Sequence, residues 1–112
     1  MQVFIVTKML YFCGVEKSVV GLKDMDFIIS NHAQEQMSRR GINYETVLMV
    51  VSRPDQIIPD DEDPTIIIYQ SLIKENNQMF LIRVFVNKDK QPNVVVTLYK
   101  TTKISKYYEG KV

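Results

Sequence analysis

Three long runs of β-type residues follow one another through the C-terminal half of this 112-residue chain, separated only by short polar joints. Thr65 to Ile73 leads through Lys74-Glu75-Asn76-Asn77 into Met79 to Val86, and Asn87 to Asn93 connects that run to Val94 to Lys100. A crossover to a parallel neighbour takes a dozen or more residues, so joints this short favour antiparallel pairing. Asn76 and Asn77 suit a hairpin turn. A fourth, shorter run, Asp55-Gln56-Ile57-Ile58, closes at Pro59. The pattern predicts an antiparallel meander of about four strands.

Two amphipathic helices precede the meander. After Phe27-Ile28-Ile29, a short apolar strand or lead-in, Ser30 or Asn31 offers an N-cap oxygen to a helix over about His32 to Arg40, and Gly41 stops it. Asn43 caps a second helix, Glu45 suits its first turn, Val47, Leu48, Val50 and Val51 form its buried face, and Pro54 ends it. Both helices have to bury their apolar sides on one face of the sheet. The fold class is therefore α+β, a single domain over residues 25–112.

Residues 1–24 stand apart. Met1 to Val6 and Leu10 to Val15 have β-type composition interrupted by Gly14 and Gly21. They read as an extra edge strand, as a loosely ordered arm, or as sequence upstream of a natural start at Met25. No stretch approaches the roughly 18 apolar residues of a membrane span, and no charged n-region or cleavage site marks a signal peptide. A single cysteine, Cys13, fits a reducing compartment, so a cytoplasmic protein is expected.

The net charge of +1 conceals a polarised chain. Residues 1–42 hold five bases and four acids (+1), residues 43–77 two bases and seven acids (−5), and residues 78–112 seven bases and two acids (+5). A basic segment of this kind attracts polyanions; it is equally what exposed strands rich in solvated lysine look like.

A few residues stand out chemically. His32, the only histidine, shares a helix face with Gln36 and Arg40, and Arg39 borders that stripe. His beside Arg suits a phosphate site, while a local cap would place His32 there without function. Arg83 is flanked only by apolar residues in Met79 to Val86, so its charge has to be paired, with Asp60 to Asp63 for example, or face a ligand. Thr97 and Tyr99 alternate onto one face of the last strand and reach a phosphate beside Arg83 if the strands are adjacent. Lys100, Lys103 and Lys106 extend the positive field, and Tyr107 and Tyr108 either stack on bases or pack on the domain. One His and one Cys cannot build a zinc site, the acidic run Asp60 to Asp63 lacks the spacing of a calcium loop, and no glycine motif for nucleotides is present. No metal or cofactor is expected.

The run Asn31-His32-Ala33-Gln34-Glu35-Gln36-Met37-Ser38-Arg39-Arg40-Gly41-Ile42 resembles the H-A-x-x-R-M-x-x-R-x-I opening of the domain-of-unknown-function family DUF4258. The resemblance continues through Val47 to Pro54, Ile57-Ile58-Pro59-Asp60, Arg83-Val84-Phe85 and Val96 to Lys103, and so covers about residues 26–108. That family is similar to RelE- and BrnT-type toxins. The similarity implies a helix pair on a curved antiparallel sheet, a RelE/barnase-like ribonuclease fold. It also implies an RNA-facing surface, a cognate antitoxin as partner, and a homodimer as an open alternative.

By position it implies His32, Arg40, Arg83 and Tyr99 as catalytic groups. Arg39, Gln36, Thr97, Lys100 and Lys103 would be the RNA contacts. Gln36 stands where the family often has Arg. The expected activity is a metal-independent endoribonuclease in which the RNA's 2′-hydroxyl attacks the adjacent phosphorus, with His32 moving the proton. The alternatives are a non-catalytic RNA- or protein-binding module of the same fold and a protein whose exposed strand pairs with another chain.

Overall fold

The computed structural model describes residues 3–5 and 27–110. The chain runs β1 (Val3–Ile5), β2 (Phe27–Ser30), α1 (Asn31–Arg40), α2 (Tyr44–Ser52), β3 (Gln56–Pro59), β4 (Ile66–Glu75), β5 (Gln78–Asn87), β6 (Asn93–Thr101) and a one-turn α3 (Ile104–Tyr107). The expectations placed on Cys13, on a strand over Leu10 to Val15 and on a start at Met25 lie outside the described residues.

Local chemistry sets the helix limits. The Ser30 hydroxyl accepts from the Ala33 N–H (3.1 Å), satisfying one of the free amides of the first turn. At the other end Gly41 takes the left-handed conformation, φ 65° and ψ 37°, where a side chain would be disfavoured. Asn43 Oδ1 accepts from the Thr46 N–H (2.8 Å) to start α2, and Pro54 follows its end. Both helices fall within a residue or two of their predicted places. In the β4–β5 hairpin Asn76 and Asn77 both have positive φ (51° and 67°), the backbone of a two-residue turn that matches strand twist.

Among the described residues the strands form one sheet in the order β1-β2-β6-β5-β4-β3. From β3 to β6 the neighbours are antiparallel and consecutive, as the short joints dictate. The purely antiparallel sheet of about four strands is corrected, however: β2 lies parallel to β6, pairing Phe27 with Asn93 and Ile29 with Val95, and β1 pairs antiparallel with β2. Of the two readings of Phe27-Ile28-Ile29, the strand holds, with Phe27 and Ile29 buried. Its partner lies more than sixty residues away, beyond both helices and the hairpins, where short-range joint lengths carry no information.

Alternation along β5 divides the molecule. Ile82, Val84 and Val86 enter the core with Leu98, Val95 and the helix residues Ala33, Val47, Val50 and Val51. Both helices therefore cover one face, as expected. Arg83 sits between Ile82 and Val84 and belongs to the opposite face, with its register partners Gln70 of β4 and Tyr99 of β6. No described helix is long and apolar enough to cross a membrane.

Candidate functional site

Arg83 is only 7% exposed, yet its hydrogen-bond partners are neutral. Its Nε donates to Gln70 Oε1 and its Nη1 to the Tyr99 hydroxyl, both at 2.8 Å. Its guanidinium carbon lies 4.4 Å from the ring centre of Tyr107, 5.4 Å from Phe85 and 5.9 Å from Tyr99. Among the described residues no carboxylate lies within ion-pairing distance of it. The expected partner, an acid from Asp60 to Asp63, does not close on it.

A chain of amides holds this arginine in place. Gln70, fully buried, passes its Nε2 donor to Gln56 Oε1 (2.7 Å) and to the Tyr107 carbonyl (3.2 Å). Gln56 in turn donates to the Glu109 carbonyl (2.7 Å) and accepts from the Glu109 N–H (3.0 Å). Four strands, β3 to β6, and the C-terminal segment are thus tied into one network whose only charge is Arg83. A buried donor fork oriented on both sides is fixed in advance for whatever approaches it.

Arg83 borders a cleft of about 600 Å³. Ile58 and Ile68 supply apolar wall, Asp60, Asp61 and Glu62 form one rim, and Lys106, Tyr107 and Glu109 form the other. The phenols are pushed apart. Burial raises Tyr99 above its ordinary value, against the lowering effect of the Arg83 hydrogen bond and charge. Tyr107 is lowered, chiefly by a hydrogen bond with the Lys106 side chain.

The predicted site residues fall into two groups. Arg83, Tyr99 and Thr97 share the face opposite the helices; Arg83 pairs directly with Tyr99, and Phe85 of that same face with Thr97. Lys103 lies exposed at the start of α3, beyond the end of β6. His32, Gln36, Arg39 and Arg40 belong to α1 on the other side of the sheet, with His32, Arg39 and Arg40 exposed and Arg40 Nε donating to Gln36 Oε1 (3.0 Å). Lys100 also belongs to the helix-covered side, as the register partner of Ile82, where its Nζ pairs with Glu75 (3.0 Å) and lies 5.0 Å from the Phe80 ring centre. A single site containing His32, Arg40 and Arg83 is therefore not formed, because the sheet separates them.

Sequence reasoning missed Gln70 and Gln56. A signal existed: Gln70 interrupts the apolar run Ile66 to Ile73 as Arg83 interrupts its neighbour, and two polar breaks in adjacent strands point to a shared buried network.

Helices on one face of a mixed sheet and a buried arginine beneath a cleft on the other define a small α+β domain. The chain belongs to the domain-of-unknown-function family DUF4258, whose model matches residues 29–100. Neither the curated proteins nor the solved structures yielded a match.

Proposed function

We propose that this chain is a toxin-like endoribonuclease acting without a metal, with its site centred on Arg83 rather than on the α1 histidine. The observation that carries the reading is a buried guanidinium with neutral partners only. Removing a charge from water is costly unless an opposite charge compensates it, and a phosphodiester at the cleft would supply that charge. The resemblance to RelE- and BrnT-type toxins supports the choice of RNA.

In this reading the RNA's 2′-hydroxyl attacks the adjacent phosphorus, the bond to the 5′-oxygen breaks, and the products are a 2′,3′-cyclic phosphate and a free 5′-hydroxyl. Arg83 stabilises charge on the phosphoryl oxygens, a contribution of about 3 kcal/mol for a well-placed donor. Tyr99, whose neutral form burial favours, donates its proton to the leaving 5′-oxygen, and the 2′-hydroxyl proton passes to solvent water.

A second reading, a binding module that cleaves nothing, is favoured by the rim. Asp60, Asp61 and Glu62 repel a polyanion approaching from their side. One assay separates the two: labelled structured RNA incubated in EDTA with wild type, Tyr99→Phe and Arg83→Lys. Cleavage by wild type leaving cyclic phosphate ends, lost in both variants, supports the nuclease; RNA binding without cleavage supports the module.

A further inference from the structure

Among the described residues β3 ends the sheet, pairing with β4 on one side only. Its free edge can be read residue by residue. The Asp60 N–H bonds the Ile66 carbonyl (3.2 Å), and the register pairs Ile58 with Ile68 and Gln56 with Gln70. In an antiparallel ladder the residues that bond inward alternate with those that do not. Ile57 therefore presents its N–H and C=O to the free edge, and Pro59, with no N–H, presents a C=O alone.

The side chain at this point is equally unspent. Ile57 is 56% exposed, the largest exposure among the big apolar residues described. It lies on the helix-covered side, opposite Tyr69, and the same side carries Met49 of α2, 49% exposed. The edge is bracketed by Asp55 before it and by Asp60, Asp61, Glu62 and Asp63 after it. Among the described residues none of these five carboxylates enters an ion pair.

We propose that the β3 edge is a docking strand for an extended segment of another protein that carries basic residues on both sides of a short apolar centre. The residue opposite Ile57 exchanges both main-chain hydrogen bonds with it, and a third bond reaches the Pro59 carbonyl. The apolar centre covers Ile57, and the flanking Lys or Arg side chains meet Asp55 on one side and the Asp60 to Asp63 loop on the other.

Charge decides between occupants. A second copy of this edge would bring the same carboxylates against their like, which costs affinity. A nucleic acid is repelled for the same reason. Acids and a proline at an edge strand commonly block indiscriminate pairing, and here they leave one open position selective for a cationic strand. This inference does not depend on the ribonuclease reading.

The test uses the full chain and a dye-labelled peptide, Lys-Arg-Thr-Val-Thr-Val-Lys-Arg, followed by fluorescence anisotropy. Two controls replace the basic residues by Glu or N-methylate the central valine amides. The basic peptide is expected to bind and to protect the Ile57 amide from hydrogen exchange. Both controls, and separately Ile57→Ser and the triple change Asp60→Asn, Asp61→Asn, Glu62→Gln, are expected to weaken binding by about tenfold or more. Ile57→Ser alters a mainly exposed side chain, so the fold is retained, which circular dichroism verifies. Equal binding of the N-methylated peptide, or no effect of Ile57→Ser, would reduce the attraction to bare charge and overturn strand addition. Absence of binding by the basic peptide overturns the proposal outright.

Discussion

Arg83 and Tyr99 are direct cross-strand partners, and the guanidinium Nη1 donates to the phenol oxygen at 2.8 Å. That bond leaves the charge of Arg83 unneutralised while spending one of its donors on orientation. It also leaves the phenol its own proton, shared with the Tyr107 side chain, which a carboxylate in the same position would not offer.

Gln70→Glu tests whether this charge is held in reserve. The substitution is nearly isosteric and converts the Nε acceptor into a counter-ion. RNA binding is expected to weaken by about tenfold, the equivalent of one charged contact at about 1.4 kcal/mol. The new ion pair offsets only part of the loss of the two donations from Nε2 to Gln56 Oε1 and the Tyr107 carbonyl, so the variant is expected to melt below wild type. Filter binding together with thermal melting checks both halves, and undiminished binding by a folded variant would place RNA elsewhere.

His32→Ala separates the two sides of the sheet. Because α1 packs on the face opposite Arg83, this variant should cleave RNA at the wild-type rate, whereas Tyr99→Phe should lose about 10²-fold or more. A large loss in His32→Ala with unchanged melting would restore the histidine to the chemistry and displace the cleft from it.

Ultraviolet titration should resolve the tyrosines around the Arg83 cleft. Tyr107 ionises below the ordinary tyrosine value and Tyr99 above it. For Tyr99 the raised folded value means that the neutral phenol is favoured in the native state. Its contribution to stability is thus complete below the unfolded value near 10 and disappears as pH rises through the folded one. Of the two, Tyr107→Phe should remove the earlier component and Tyr99→Phe the later.

Two substitutions probe the scaffold. Leu98→Ala empties a fully buried position between sheet and helices and should cost about 2–5 kcal/mol in urea unfolding. Ser30→Ala removes the cap on α1 and the hydrogen bond from its hydroxyl to the Val96 carbonyl (3.3 Å), at about 0.5–2 kcal/mol. A neutral Ser30→Ala would mean that water replaces the cap.

The order of elements was legible because its signals are local. Ser30 and Asn43 are caps wherever they occur before an amphipathic run, Gly41 and Pro54 are stops, and Asn76-Asn77 is a turn. The strand face of the site was legible as well, since alternation put Arg83, Thr97 and Tyr99 together once β5 and β6 were neighbours. What failed was long-range. The α1 stripe of His32, Gln36 and Arg40 has the right residue types for phosphate chemistry, but the helix periodicity that groups them does not say which side of the sheet the helix covers. Gln56 and Gln70 carry no motif, and their importance emerges only when β3, β4 and β5 lie side by side.

The parallel pairing of β2 with β6 has a consequence for synthesis. A chain made from its N-terminus releases Phe27 to Ser30 long before Asn93 to Thr101, so the strand that starts α1 waits without its neighbour while the hairpins form. That pair joins residues more than sixty apart in sequence, so it can close only after the local hairpins between them have formed. The half-made domain exposes Phe27 and Ile29 throughout that interval, the period in which a holding chaperone would find it. Arg83 reaches its final surroundings only when β6 has delivered Tyr99, so whatever the cleft does begins after translation of the domain is finished.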